Sequence, residues 1–199
     1  MLGSQRAPAL KLRRDGRSAG APMTEIAVAP LHFGEAVIVA LGEILVGTVA
    51  RGGSVGFMHP LEPRIARDFW AGALAAAGRG ERVVLGGFDD AVLVGTVSLL
   101  LDCPPNQPHR AEIAKMMTRP SRRGRGVATA LMRAAEAEAV TRGRTLLTLD
   151  TAEEEGASRL YERLGFTHAG TIPDYALKPL GGLTGTKLYW KRIGARTGP

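Results

Sequence analysis

The sequence predicts a single mixed α/β (α+β) domain: a mostly antiparallel central sheet of about seven strands with a central parallel pair, flanked by about four helices. Three observations point there. Apolar residues follow a helical period in four segments, and they alternate or cluster as β-branched runs in seven others. A glycine-rich turn stands mid-chain between a strand and a helix, and another strand follows that helix. Such a unit crosses over, so its two strands run parallel. The 199 residues, 45% of them hydrophobic, suffice for one buried core, and an aromatic content of only 5% leaves that core to Leu, Val, Ile and Ala.

Each element has its own signal. Ile26 and Val28 alternate with smaller residues in 25–31, a first strand. Residues 33–50 are strongly apolar, but Glu35, Gly42, Glu43 and Gly47 interrupt them. The segment falls short of the ~20 apolar residues a membrane span needs, so it reads as a buried helix. A loop over 51–57 follows. In 62–77 Ile65, Ala66, Phe69, Trp70, Ala73, Leu74 and Ala77 keep helical spacing. Pro63 suits the first turn of that helix, and Gly78 and Gly80 end it. Residues 82–88 and 91–101 are rich in β-branched side chains and are separated by Asp89-Asp90, which predicts a hairpin. A proline-rich loop (103–108), a strand (111–118), the glycine turn and a helix reaching 142 come next. That helix carries Val127, Leu131, Ala135 and Ala139 on one stripe. A strand (145–151), a helix (157–164) closed by Gly165 and two strands (166–172 and 183–190) complete the chain. No internal repeat is present.

The net charge of +7 suggests nucleic acid until its placement is considered. Residues 1–22 carry Arg6, Lys11, Arg13, Arg14 and Arg17 against Asp15, a net +4; residues 191–199 carry Lys191, Arg192 and Arg196, a net +3. Residues 23–190 are therefore neutral overall, whereas a nucleic-acid groove needs clustered basic residues on the folded face. The organisation expected is a disordered basic tail over 1–22, one domain over 23–193 and a flexible tail over 194–199. An organellar transit peptide, or a translation start at Met23, are other readings of the first segment. The single Cys103 makes no intrachain disulfide, which fits a reducing, cytoplasmic setting. His32, His59, His109 and His168 are scattered, so no metal site is expected.

The run Arg122-Arg123-Gly124-Arg125-Gly126-Val127-Ala128 is the most informative stretch. Glycines let the backbone approach an anion closely, and the free N–H groups opening the next helix point at it. A diphosphate-bearing cofactor is the natural occupant. A Walker loop requires Gly-Lys-Ser/Thr, which is absent here. A dinucleotide fingerprint requires G-x-G-x-x-G after the first strand of a repeated βαβ set; only Gly124-x-Gly126 matches, and it lies mid-chain.

A third pattern fits. Arg123 through Ala128 resembles the Arg/Gln-x-x-Gly-x-Gly/Ala turn of the GCN5-related N-acetyltransferases, and Ala157-Ser158-Arg159-Leu160-Tyr161-Glu162-Arg163-Leu164-Gly165-Phe166 resembles that family's A-x-x-L-Y-E-x-L-G-F segment. Together with the order of elements, the resemblance covers about 25–193. Further segments resemble the family's toxin-resistance members: Arg110-Ala111-Glu112-Ile113, Lys115-Met116-Met117, Leu149-Asp150-Thr151, Ser54 to Met58, and Ile172 to Tyr175. The resemblance implies an acetyl-CoA-dependent N-acetyltransferase acting on a small, amino-acid-like amine by direct transfer in a ternary complex, and so toxin or antibiotic detoxification. It implies a central parallel strand pair splayed to admit acetyl-CoA. An aminoglycoside, a polyamine or a protein amine as acceptor, and a silent CoA-binding module, remain alternatives. A monomer and a homodimer remain equally open.

The resemblance also assigns residues. Glu112 and Asp150, on the two parallel strands, are the candidate bases that take the proton of the attacking amine. A backbone N–H near Met117 is expected to hold the oxyanion, and Tyr161 to protonate the departing thiolate. Cofactor contacts fall on Met116, Met117, Thr118, Arg123, Gly124, Arg125, Gly126, Val127, Ala128 and Ala157; substrate contacts fall on Phe57, Asp174 and Tyr175. Of the three arginines in the turn, one or two are expected on phosphates and the rest in solvent. Each residue has a plainer reading as well: Glu112 as a partner of Arg110, Asp150 as a cap for the next helix, Tyr161 as packing, and Asp174 and Tyr175 as ordinary loop residues. One departure stands out: many family members carry Asn at the position of Glu154, and the run Glu153-Glu154-Glu155 offers acceptors only.

Overall fold

A computed structural model of the protein describes residues 26–154 and 156–194. The expectation for 1–22, and that for 194–199 apart from Gly194, lie outside the described residues. Within them the chain forms β1 (Ala27–Pro30), α1 (Glu35–Val49), α2 (Pro63–Gly78), β2 (Arg82–Asp89), β3 (Val92–Leu100), β4 (Arg110–Thr118), α3 (Val127–Thr141), β5 (Leu146–Ala152), α4 (Ser158–Arg163), β6 (Thr167–Leu177) and β7 (Leu183–Arg192). A single 3-10 turn, Pro120–Arg122, leads into the glycine turn. The expected element order is the one observed.

All seven strands join one sheet in the order β1-β2-β3-β4-β5-β7-β6. Every pairing is antiparallel except β4 with β5, the pair that α3 connects. Helices cover both faces. Val83 and Leu85 of β2 share a core with Leu131 and Ala135 of α3, while Val84 between them packs with Leu41, Leu45 and Trp70 of α1 and α2. A strand buried on both faces reads as an unbroken apolar run, which is why β2 and β3 do not alternate.

Two boundaries differ from the sequence reading. The first helix begins at Glu35, and Phe33 is left 65% exposed. The last helix-to-end segment differs more: β6 runs to Leu177, past the expected 172, so Asp174 and Tyr175 lie on a strand instead of a loop. Pro173 hid this extension. Its missing N–H is tolerated because β6 is the edge of the sheet, and the register with β7 shifts between Ile172 and Ala176.

Trp70 anchors the α1–α2 side. Its side chain is fully buried and packs edge-to-face on Phe69 at 5.1 Å. Trp70→Ala is expected to destabilise the fold by about 3–5 kcal/mol, read as a fall in the urea midpoint at unchanged slope.

Candidate active site

The site begins where β4 and β5 stop pairing. Their parallel register holds from Arg110 with Leu146 to Glu112 with Thr148, and no further. β4 continues to Thr118 and β5 to Ala152, so a cleft opens between them. A bulge in β4 helps to bend it away. Ser98 pairs with Ala114 and Thr96 with Met117, which leaves Val97 alone opposite both Lys115 and Met116. Lys115 takes a φ of 52°, a left-handed conformation rare for a residue with a side chain.

On one side of the bulge lies a cavity of about 390 Å³, within the range of small-molecule sites. Asp150 and Lys115 line it together with Phe57, Tyr161 and Tyr175. The exposed Asp150 accepts a hydrogen bond from Thr186 Oγ1 at 3.2 Å. The same hydroxyl lies 3.2 Å from the Thr151 carbonyl, so its one hydrogen serves either acceptor. Tyr161 is 5% exposed and packs against Tyr189 and Phe166. Burial holds the Lys115 ammonium below the ordinary lysine range, and the negative charges of Asp150 and Glu112 offset part of that effect.

Glu112 shares the sheet face of Asp150 but not its cavity. Ala111 and Ile113 on β4, like Leu147 and Leu149 on β5, pack into the core with α3. Alternation then turns Glu112 and Asp150 to the opposite face. Glu112 sits at the last paired register and meets Arg110 at 3.3 Å; Arg110 also donates to Thr148 Oγ1 at 3.0 Å. Asp174, with a φ of 51°, is exposed on β6 and is not in the wall of this cavity, whereas Phe57 and Tyr175 are.

A second hollow, about 440 Å³, continues from the first across Val55 and Met116. Gly52 and Gly53 wall it on one side, Met117, Thr118 and Ala157 on the other. The Met117 side chain is 2% exposed and belongs to the α1–α2 core, so this residue offers the cleft its backbone. A third hollow, about 340 Å³, adjoins at Thr118 and Arg123 and is floored by Gly124, Gly126 and Ala128. Val127 is likewise buried at its side chain. The three hollows form one groove along β4.

The glycine turn suits an anion. Gly124 and Gly126 have φ values of 75° and 80°, and a Cβ on either would meet no atom within 4 Å. The requirement for glycine is therefore backbone conformation, and the space above is open. Arg125 and Arg122 are tied to Asp89, at 2.7 and 3.3 Å. That carboxylate is 4% exposed at the end of β2. Arg123 borders both outer hollows. The tie to Asp89 is a finding the sequence reading missed: Asp89 read only as a hairpin residue. Lys115 and Thr186 were missed as site residues too. A charged residue at 115, in line at period two with the apolar Ala111 and Ile113, was the one available signal. Glu154 pairs with Lys178 at 3.1 Å on the surface.

Among the described residues no group of three or more His, Cys, Asp or Glu is placed to hold a metal ion. None of the described helices is long and apolar enough to cross a membrane.

Residues 54–166 match the model of the acetyltransferase (GNAT) family. Solved structures of the same fold include yncA, a putative acetyltransferase from Salmonella typhimurium with acetyl-CoA (18% identity, 88% of this chain and 98% of that one, TM-score 0.74). A phosphinothricin acetyltransferase from Sinorhizobium meliloti in complex with acetyl-CoA is similar as well (16% identity, 86% and 90% covered, TM-score 0.73). So is the ribosomal-protein-alanine N-acetyltransferase of Brucella melitensis (22% identity, 83% and 99% covered, TM-score 0.70).

Proposed function

Because the chain belongs to the acetyltransferase (GNAT) family, we propose that it transfers an acetyl group from acetyl-CoA to the amine of a small, amino-acid-like molecule, as a cytoplasmic detoxifying enzyme. The observation that carries this reading is the continuous groove: an open glycine cradle, a passage between parted strands and a cavity ending on a carboxylate.

The residues present fit the cofactor. Bound acetyl-CoA would have its diphosphate held by the N–H groups of 124–128 and by Arg123, and its pantetheine arm by Thr118, Met117 and Ala157. Bound acetyl-CoA supplies an activated acyl carbon and a thiolate leaving group. Asp150 removes the proton from the acceptor ammonium, giving the neutral amine that attacks. The bulge leaves the backbone N–H groups of Lys115 and Met116 outside the regular ladder with β3; one of them donates to the negative oxygen that develops at the attacked carbonyl. Both lie near Met117, where the oxyanion donor was expected. The Tyr161 phenol gives its proton to the leaving sulfur. The described part of the chain, with the segment from 23, acts as one catalytic domain.

The test is acetyl-CoA-dependent thiol release by the purified chain with a panel of amino acids, polyamines, aminoglycosides and N-terminal peptides. Acetylation of an amino acid is expected; binding of acetyl-CoA with no turnover on any amine overturns the reading. Gly126→Ala checks the cradle. The added Cβ forces a residue with a side chain into positive φ, a strain of about 1–2 kcal/mol, so KM for acetyl-CoA is expected to rise about tenfold while KM for the acceptor stays unchanged.

A further inference from the structure

We propose that the acceptor is a zwitterion, an amine that also carries a carboxylate, and that Lys115 reads the carboxylate while Asp150 receives the ammonium. This deepens the acetyl-transfer reading and rests on it.

Lys115 and Asp150 stand on neighbouring strands past the point of their divergence, and both line the one cavity. They carry opposite charges, yet no ion pair among the described residues includes either of them. Asp150 has the Thr186 hydroxyl, and the Lys115 ammonium lies over the Phe69 ring at 5.7 Å. Two charges held in one small cavity without meeting are complementary to a ligand that brings one charge of each sign.

The backbone shows how this lysine arrives there. Strict alternation would put residue 115 on the side of Ala111 and Ile113, in the core with α3. The bulge, with its positive φ at Lys115, turns the ammonium toward Phe69 of α2 instead. Gly56, whose φ of 83° favours glycine, lies beside the ammonium: a Cβ there would stand 3.4 Å from Lys115 Nζ. A part-desolvated cation with no anionic partner is unfavourable by itself. A carboxylate from the acceptor supplies the missing partner through a charge-assisted hydrogen bond. The charged groups acting on Lys115 are Asp150, Arg82 and Glu112; the two acids favour its charged form, against burial and the like charge of Arg82.

The test offers each of the twenty common amino acids as the free acid and as its carboxamide, with spermidine and kanamycin as amines lacking a carboxylate. The preferred acid is expected to show a KM about tenfold or more below that of its carboxamide. Lys115→Met should abolish the KM difference between the acid and its carboxamide, and Lys115→Arg should recover part of that difference. KM for acetyl-CoA, measured on each variant, reports whether the fold is intact. Acid and carboxamide used equally well by the native chain overturn the proposal. So does a Lys115→Met variant that keeps the native KM difference between acid and carboxamide. Turnover of spermidine or kanamycin with no amino acid accepted defeats this proposal and leaves acetyl transfer standing. No turnover with any amine defeats the acetyl-transfer reading itself.

Discussion

Asp150→Asn is expected to lower kcat for amine acetylation by about two to four orders of magnitude, the usual contribution of a positioned general base. Asparagine keeps the shape of the side chain and still accepts the hydrogen bond from Thr186, so the change removes basicity and little else. The acceptor arrives as an ammonium ion and must lose a proton before its nitrogen can attack. Asp150 lies in the cavity wall, and the proposed mechanism gives it that proton. Its charge also supports the Lys115 cation, so KM for the acceptor should rise too, and kcat must be read at saturating acceptor. Glu112→Gln is the comparison. Glu112 is held by Arg110 at 3.3 Å, at the last paired register and outside the cavity wall. Its loss should cost kcat less than about tenfold. A larger fall with Glu112→Gln than with Asp150→Asn reverses the assignment.

The second large effect belongs to a residue away from the reacting atoms. Asp89→Asn is expected to raise KM for acetyl-CoA about tenfold or more and leave KM for the acceptor unchanged. Asp89 holds Arg125 at 2.7 Å and Arg122 at 3.3 Å from a carboxylate that is 4% exposed. These two arginines flank Arg123-Gly124, so Asp89 ties the β2–β3 hairpin to the glycine turn. Charge-assisted hydrogen bonds contribute about 1.5–3 kcal/mol each, less here because both guanidiniums are partly exposed. Even half of one such bond, lost from the order of the turn, approaches a factor of ten in affinity. Calorimetric titration with CoA measures it directly. Tighter CoA binding by the variant would mean that Asp89 withholds these arginines from the phosphates, and would sink this expectation.

The glycine turn was legible in the sequence because its chemistry is local. Positive φ at two positions and an apolar stripe four residues apart are written in adjacent letters. The expectation that Asp150 and Tyr161 belong to the site came from the resemblance to a family, not from spacing alone. The fates of Arg122 and Arg125 were not legible. Their partner lies 36 residues from Arg125, beyond a hairpin and a strand. Lys115 was opaque for a different reason. A strand read at period two assigns each side chain to a face, and a one-residue bulge inverts the assignment; the charge at 115 marks a conflict with the core side but not where the bulge lies.

By itself, then, the sequence determined the order of seven strands and four helices, the parallel pair and the open anion cradle, because periodicity, turn residues and the handedness of crossovers act over a few residues at a time. Only the tertiary structure decided which charges meet and which are kept apart: Asp89 with two arginines, Lys115 and Asp150 facing one cavity unpaired. Those relations depend on register, on the bulge at Lys115 and Met116 and on where β4 leaves β5. Each is set by the packing of the whole sheet between its helices, and no short segment of the chain contains it.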